Sequence, residues 1–201
     1  MEENIKELWN KYEEWCNKNY KTNLKLFNKP VSNEKLDKLT SIVGCLNDDF
    51  KSLYSLHDGE ASGQGMFFGF TFLSVDEIIE EINYMIPDNL YRGTSNPERT
   101  IKVSYYEKGW LPIAADGSGN FIGIDYVPDI NGIKGQIINF GRDEHNKYVL
   151  AKNLGEFLQL LINNINNKNI INTEEGVVFY NSQGKTYHHL TDFMINIKYN
   201  I

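Results

Sequence analysis

Ile5, Leu8, Trp9, Tyr12, Trp15 and Cys16 recur at intervals of three and four along residues 3–19, an otherwise charged segment. That spacing predicts an amphipathic helix with one apolar stripe, and its aromatics are expected to face the core. After a loop with Pro30, Ser32 or Asn33 can cap a second helix carrying Leu36, Leu39, Ile42, Val43 and Leu46. Asp48 and Asp49 stand where a third, short helix begins, at the positive end of its dipole. That helix is expected to stop at "HDGE", where Gly59 can take the left-handed conformation.

The period then changes. "GQGMFFGFTFLS" reads as a strand or a bent hairpin, and "SVDEIIEEI" as a helix opened by a Ser74–Glu77 capping box. Residues 87–100, with Pro87, Gly93 and Pro97, are expected to form a long loop. From residue 101 the runs "IKVSYYE", "GWLPIAA", "FIGIDYV", "GQIINFG" and "KYVLA" predict successive strands. "NLGEFLQLLINNI" restores the helical period, and the tail adds a strand "GVVFY", a turn "NSQG" and a short closing segment. The Asn-rich stretch at 163–169 is the one compositional oddity. The fold class expected is α+β, an antiparallel meander of about five to six strands with helices packed mainly on one face.

The 201 residues suit one domain, or one domain with an extension, and contain no apolar run of the ~18–20 residues that a membrane helix needs. The opening "MEENIKELW" lacks the order of a secretory signal, so the expected location is cytoplasmic. Lys and Arg number 20 against 27 Asp and Glu, a net charge of −7. That balance disfavours nonspecific binding to nucleic acid or an anionic membrane and favours a basic partner. Cys16 and Cys45 have no metal or disulfide spacing and are expected as buried thiols.

The richest candidate chemistry lies in "LPIAADGSGNFIGID", residues 111–125. Asp116, Ser118 and Asn120 alternate as in a calcium loop, but the distant glutamate is missing. The glycines precede a strand pattern and no lysine follows, against a phosphate loop. The segment therefore reads as a hairpin turn, with Gly117 and Gly119 supplying positive φ and Asp116 or Asn120 closing onto the backbone. No cofactor and no metal are expected. His57, His145, His188 and His189 come with neither zinc spacing nor a paired nucleophile.

Taken in order, "GWLPIAADGSGNFIGIDYVPDINGIKGQIINFGRDEHNKYVLAKNLGEFL" and the upstream "DDFKSLYSLHDGE" resemble the SUKH superfamily, the Smi/Knr-type family of cell-wall regulators and bacterial immunity proteins. The resemblance covers roughly residues 30–162. Leu46-Asn47 departs from a frequent Leu-Pro, and the 87–100 loop and the tail beyond 168 have no clear counterpart. The domain organisation expected is an SUKH-like domain over 1–167 that includes the N-terminal helix, with 168–201 an extension packed on it; the resemblance itself carries nothing for the tail. The resemblance implies a non-catalytic module, either an immunity protein that neutralises a cognate toxin or a scaffold in cell-wall or growth control. The first is the leading expectation, with a protein partner such as a basic, nuclease-type toxin domain. The residues expected to bind the partner are Asp58, Glu60, Trp110, Asp116, Ser118, Asn120, Asp125, Asp143 and Glu144. Each also has a structural reading: Trp110 as a core anchor, Asp125 as an acceptor for backbone amides, and the loop acids as solvated charge.

Overall fold

Short polar side chains set where most of the helices begin. A computed structural model describes residues 4–20, 25–61, 63, 65–86 and 92–200. Asn4 caps α1 (Ile5–Asn19) through a reciprocal capping box with Glu7, and Ser32 caps α2 (Asn33–Val43). Asn47 caps α3 (Asp48–Tyr54). Ser74 and Glu77 form the expected box at the head of α4 (Val75–Tyr84), and Asn153 caps α5 (Leu154–Asn166). Each such bond satisfies a backbone N–H that the first helical turn leaves without a partner.

Gly44, at φ +88, ends α2 before Leu46, which is buried by the following loop rather than by the helix. Cys45, next to that break, is exposed, so only Cys16 is the buried thiol expected. Gly59 does take a positive φ, but α3 has already ended at Tyr54.

Six strands form the main sheet: β1 (Thr71–Phe72), β2 (Thr94–Asn96), β3 (Trp110–Ala115), β4 (Asn120–Asp125), β5 (Gln136–Gly141) and β6 (Asn146–Ala151), in the order β1-β3-β4-β5-β6-β2. The meander from β3 to β6 is antiparallel as expected. The sheet as a whole is mixed, because β2 lies parallel to β6, pairing Thr94 with Asn146 through Asn96 with Tyr148. That strand falls within the predicted 87–100 loop; residues 87–91 lie outside the described residues. "IKVSYYE" forms no strand, because its backbone is engaged elsewhere. The Ile101 N–H donates to Ser95 Oγ at 2.9 Å, and the Ser104 N–H to the Lys102 carbonyl at 3.1 Å.

All six positions of β3, β4 and β5 are buried. By register, Trp110, Phe121 and Phe140 share one face. Tyr106, on the irregular segment before β3, covers it with its ring 6.5 Å from Trp110 and 6.4 Å from Phe140. Below the helices lies a second aromatic nucleus: Trp9 and Tyr12 pack on Phe27 and Phe67 at 5.1–6.2 Å between ring centres.

The tail holds more structure than one strand and a closing segment. β7 (Ile170–Thr173), β8 (Gly176–Tyr180) and β9 (Thr186–Tyr187) make a separate antiparallel sheet, followed by α6 (Leu190–Tyr199). Tyr199 Oη donates to the Val149 carbonyl at 2.9 Å, and Asn172 Nδ2 to the Asn19 carbonyl at 3.0 Å, tying the tail to β6 and α1. No helix among the described residues is long and apolar enough to cross a membrane.

Candidate functional site

The Asp116–Asn120 segment is a hairpin turn joining β3 to β4. Asp116 Oδ1 accepts from the Ser118 N–H at 2.6 Å and the Asn120 N–H at 3.1 Å, while Oδ2 accepts from Asn120 Nδ2 at 2.8 Å. Gly117 and Gly119 have φ of +77 and +92, which an L side chain adopts only with strain. The carboxylate thus organises the turn.

Beside it lies the β5–β6 turn. Asn120 Oδ1 accepts from the Asp143 N–H at 2.8 Å, and Asn120 Nδ2 also reaches Asp143 Oδ2 at 3.3 Å. The Arg142 guanidinium reaches the same carboxylate at 3.1 Å and, with Asn120, holds it below its ordinary pKa. Both Arg142 and Asp143 are exposed at this rim, as is Ser118. His189, at the head of α6, places Nε2 3.8 Å from Asp116 Oδ2.

Glu144 turns inward, where Asn139 Nδ2 donates to it; burial pushes its carboxyl up to about 7 against that bond, with Asp192 of α6 adding to the rise. Lys147 is fully buried, its ammonium 5.3 Å above the Trp110 ring and 3.1 Å from the Glu144 carbonyl. Burial lowers it to about 8, against the field of Glu144. Asp116, Ser118, Asn120, Asp143 and Glu144 are therefore brought together.

The remaining predicted residues stand apart. Asp125 is fully buried at the far end of β4, about 16 Å from Asn120 at ~3.3 Å per residue. Its carboxylate accepts from the Val127 N–H and Gln136 Nε2, both at 2.9 Å. Burial raises it to about 6, while Gln136, Val127 and the Trp110 indole pull it back. Trp110 itself is fully buried.

Asp58 and Glu60 belong to the helical side of the molecule. Asp58 Oδ1 accepts from the Val75 N–H at 2.7 Å, and Lys35 bridges Asp58 and Asp76 at 2.8 and 2.6 Å. Both acids hold the Lys35 ammonium above its usual pKa. Glu60 gathers the N–H groups of Gly65, Met66 and Phe72 at 2.9–3.1 Å. Sequence reasoning missed Asn139, Gln136, Lys147 and Arg142 as site-building residues. The signal was available, since Gln136 and Asn139, three positions apart in the apolar run "QIINFG" and so on opposite faces of a strand, each require a buried partner.

The model of the SMI1 / KNR4 family (SUKH-1) matches residues 30–160. The chain is similar to the cell wall biosynthesis/cell cycle regulator smi1 of Schizosaccharomyces pombe, 30% identical over 187 residues, covering 81% of this chain and 36% of that protein. It is similar to the cell wall assembly regulator SMI1 of Saccharomyces cerevisiae, 25% identical over 177 residues, covering 67% of this chain and 35% of that one. Against the glucan synthesis regulatory protein of Neurospora crassa, identity is 25% over 195 residues, covering 76% and 37%. The chain spans about a third of the length of these relatives.

Proposed function

Because the chain belongs to the SMI1/KNR4 family (SUKH-1), we propose that it is a regulatory binding module in cell-wall synthesis or growth control, acting through a protein partner. The observation that carries this reading is the character of the relatives, which are named as regulators of cell-wall biosynthesis, cell-wall assembly and glucan synthesis. They fit regulation better than the toxin-neutralising role that leads the sequence-based expectation. The geometry supports a module that works by contact. Two hairpin tips are locked by Asn120 and present Ser118, Arg142 and Asp143 on one rim. A net charge of −7 favours encounter with a basic surface. Catalysis by Asp116, Asp125 and a histidine together would require them to converge, whereas Asp116 sits in the turn that leads into β4 and Asp125 ends that strand.

The test is deletion of the gene in its own host. Hypersensitivity to wall-perturbing drugs is expected, restored by the wild-type chain and not by a Ser118→Arg/Asp143→Arg variant that still folds. A normal envelope with normal drug sensitivity overturns the proposal. Rescue from a toxic neighbouring reading frame, with no wall phenotype, would instead establish toxin neutralisation.

A further inference from the structure

A surface cleft of about 260 Å³ opens in the tail, between the β8–β9 turn and the C-terminal end of α6, outside the segment matched by the family. Its polar lining is Asn169, Asn181, Ser182, Gln183, Asn196 and Asn200, with Ile197 as a small apolar wall. None of these side chains is charged, in a chain of which 23% of residues are. The Asn-rich stretch noted in the sequence supplies Asn169.

The Asn169, Asn181 and Asn196 side chains are held in place before any ligand arrives. Asn181 Oδ1 accepts from the Gln183 and Lys185 N–H groups at 3.0 and 2.9 Å, and its Nδ2 donates to Asn196 Oδ1 at 3.1 Å. Asn169 Nδ2 donates to Asn164 Oδ1 at 2.9 Å, which leaves its carbonyl oxygen for the cleft. Asn200 sits in the left-handed region at φ +56, its N–H bonded to the Asn196 carbonyl at 2.8 Å. Among the described residues the side chains of Ser182, Gln183 and Asn200 make no hydrogen bond within the protein.

We propose that this cleft binds a neutral sugar. Each amide offers one acceptor oxygen and two donor hydrogens, and each hydroxyl both donates and accepts. Neighbouring ring hydroxyls match that pattern, since they too do both. A charged ligand would find no counter-charge in the lining, and an apolar one would strip water from amides without replacing their bonds. Ile197 suits the C–H face of a ring. The volume exceeds the roughly 150 Å³ of a cavity that holds one benzene, which leaves room for one sugar ring. For about twelve heavy atoms in a polar, open cleft, a Kd on the order of 1 mM is expected. The inference goes beyond the regulatory reading and does not depend on it.

The experiment is an amide NMR titration of the full chain with glucose, mannose, galactose and N-acetylglucosamine. Glycerol is the solvent control and a neutral tripeptide the competing ligand class. At least one sugar is expected to shift Ser182, Gln183, Ile197 and Asn200 saturably. The Gln183→Ala/Asn200→Gly variant, whose glycine suits the left-handed φ, is expected to bind roughly fivefold or more weakly for one lost hydrogen bond. Ser182→Ala serves as a second variant should that pair not fold. Drift no different from glycerol, saturable shifts elsewhere, variants that bind as well as wild type, or binding of the tripeptide alone each overturn the proposal.

Discussion

Asn120 and Asp143, on different hairpins, hold each other twice: the Asn120 carbonyl oxygen accepts the Asp143 N–H at 2.8 Å and its amide reaches the Asp143 carboxylate at 3.3 Å. With Asn120 also bonded to Asp116, one buried amide sets the position of both hairpin tips.

Asn120→Ala should therefore destabilise the fold by about 1–3 kcal/mol, since a buried network loses its central donor and acceptor. Urea denaturation reads this directly. A loss below a few tenths of a kcal/mol would mean that water replaces the amide at no cost and that the tips are not coupled.

Glu60 is an acceptor for three backbone N–H groups, so Glu60→Gln places an NH₂ donor against N–H donors. The expected cost is about 2–3 kcal/mol, because hydrogen bonds to charged acceptors are the stronger kind. Hydrogen exchange should accelerate at Met66 and Phe72 and stay unchanged in β4 and β5.

Two glycines with the same φ of +77 should respond differently to alanine. At Gly117 an added Cβ meets nothing within 4 Å, so Gly117→Ala costs only the left-handed backbone, about 1–2 kcal/mol. At Gly59 that Cβ would lie 2.3 Å from the Ser74 nitrogen, against the head of α4. Gly59→Ala should cost at least about 3 kcal/mol or prevent folding, read from melting temperature and soluble yield.

Half-buried Glu144 and fully buried Lys147 should leave a mark on stability against pH. Glu144 rises from 4.5 to about 7 on folding, so between those values the native state holds the proton more tightly and stability falls as pH rises. Lys147 drops from 10.5 to about 8, so between 8 and 10.5 the unfolded chain binds more protons and stability recovers. Their joint contribution passes through a minimum between about 7 and 8. Glu144→Gln should remove the acidic limb and stabilise at pH 8 by on the order of 2 kcal/mol. Lys147→Met should remove the alkaline limb, and unchanged profiles for both variants would refute the assignment.

How far the sequence could be read depended on whether an element carried its own signal. The four central strands and the caps at Ser32 and Ser74 follow from local pattern and local bonds. The Asp116 turn was legible because its carboxylate bonds residues two and four positions ahead. β2 and the irregular course of 101–107 were not, since their partners lie at Asn146–Tyr148 and Ser95, fixed by tertiary contact. α6 begins at His189 with no side-chain cap bond, so the usual start signal is missing. Among the candidate site residues, residue type located Asp116, Asn120 and Asp143, but it could not tell the exposed acid at 143 from the buried ones at 58, 60 and 125.

The main sheet begins with a strand of two residues and ends with one of three, and Pro97, which has no N–H to give, directly follows the second. A foreign strand laid along either margin would form only a few ladder bonds before the template ran out, too few to offset the entropy of ordering it. Copies of the molecule in a crowded solution thus have little to zip onto at these margins. The same shortness disfavours, at these two margins, the strand-addition route that many peptide-binding domains use.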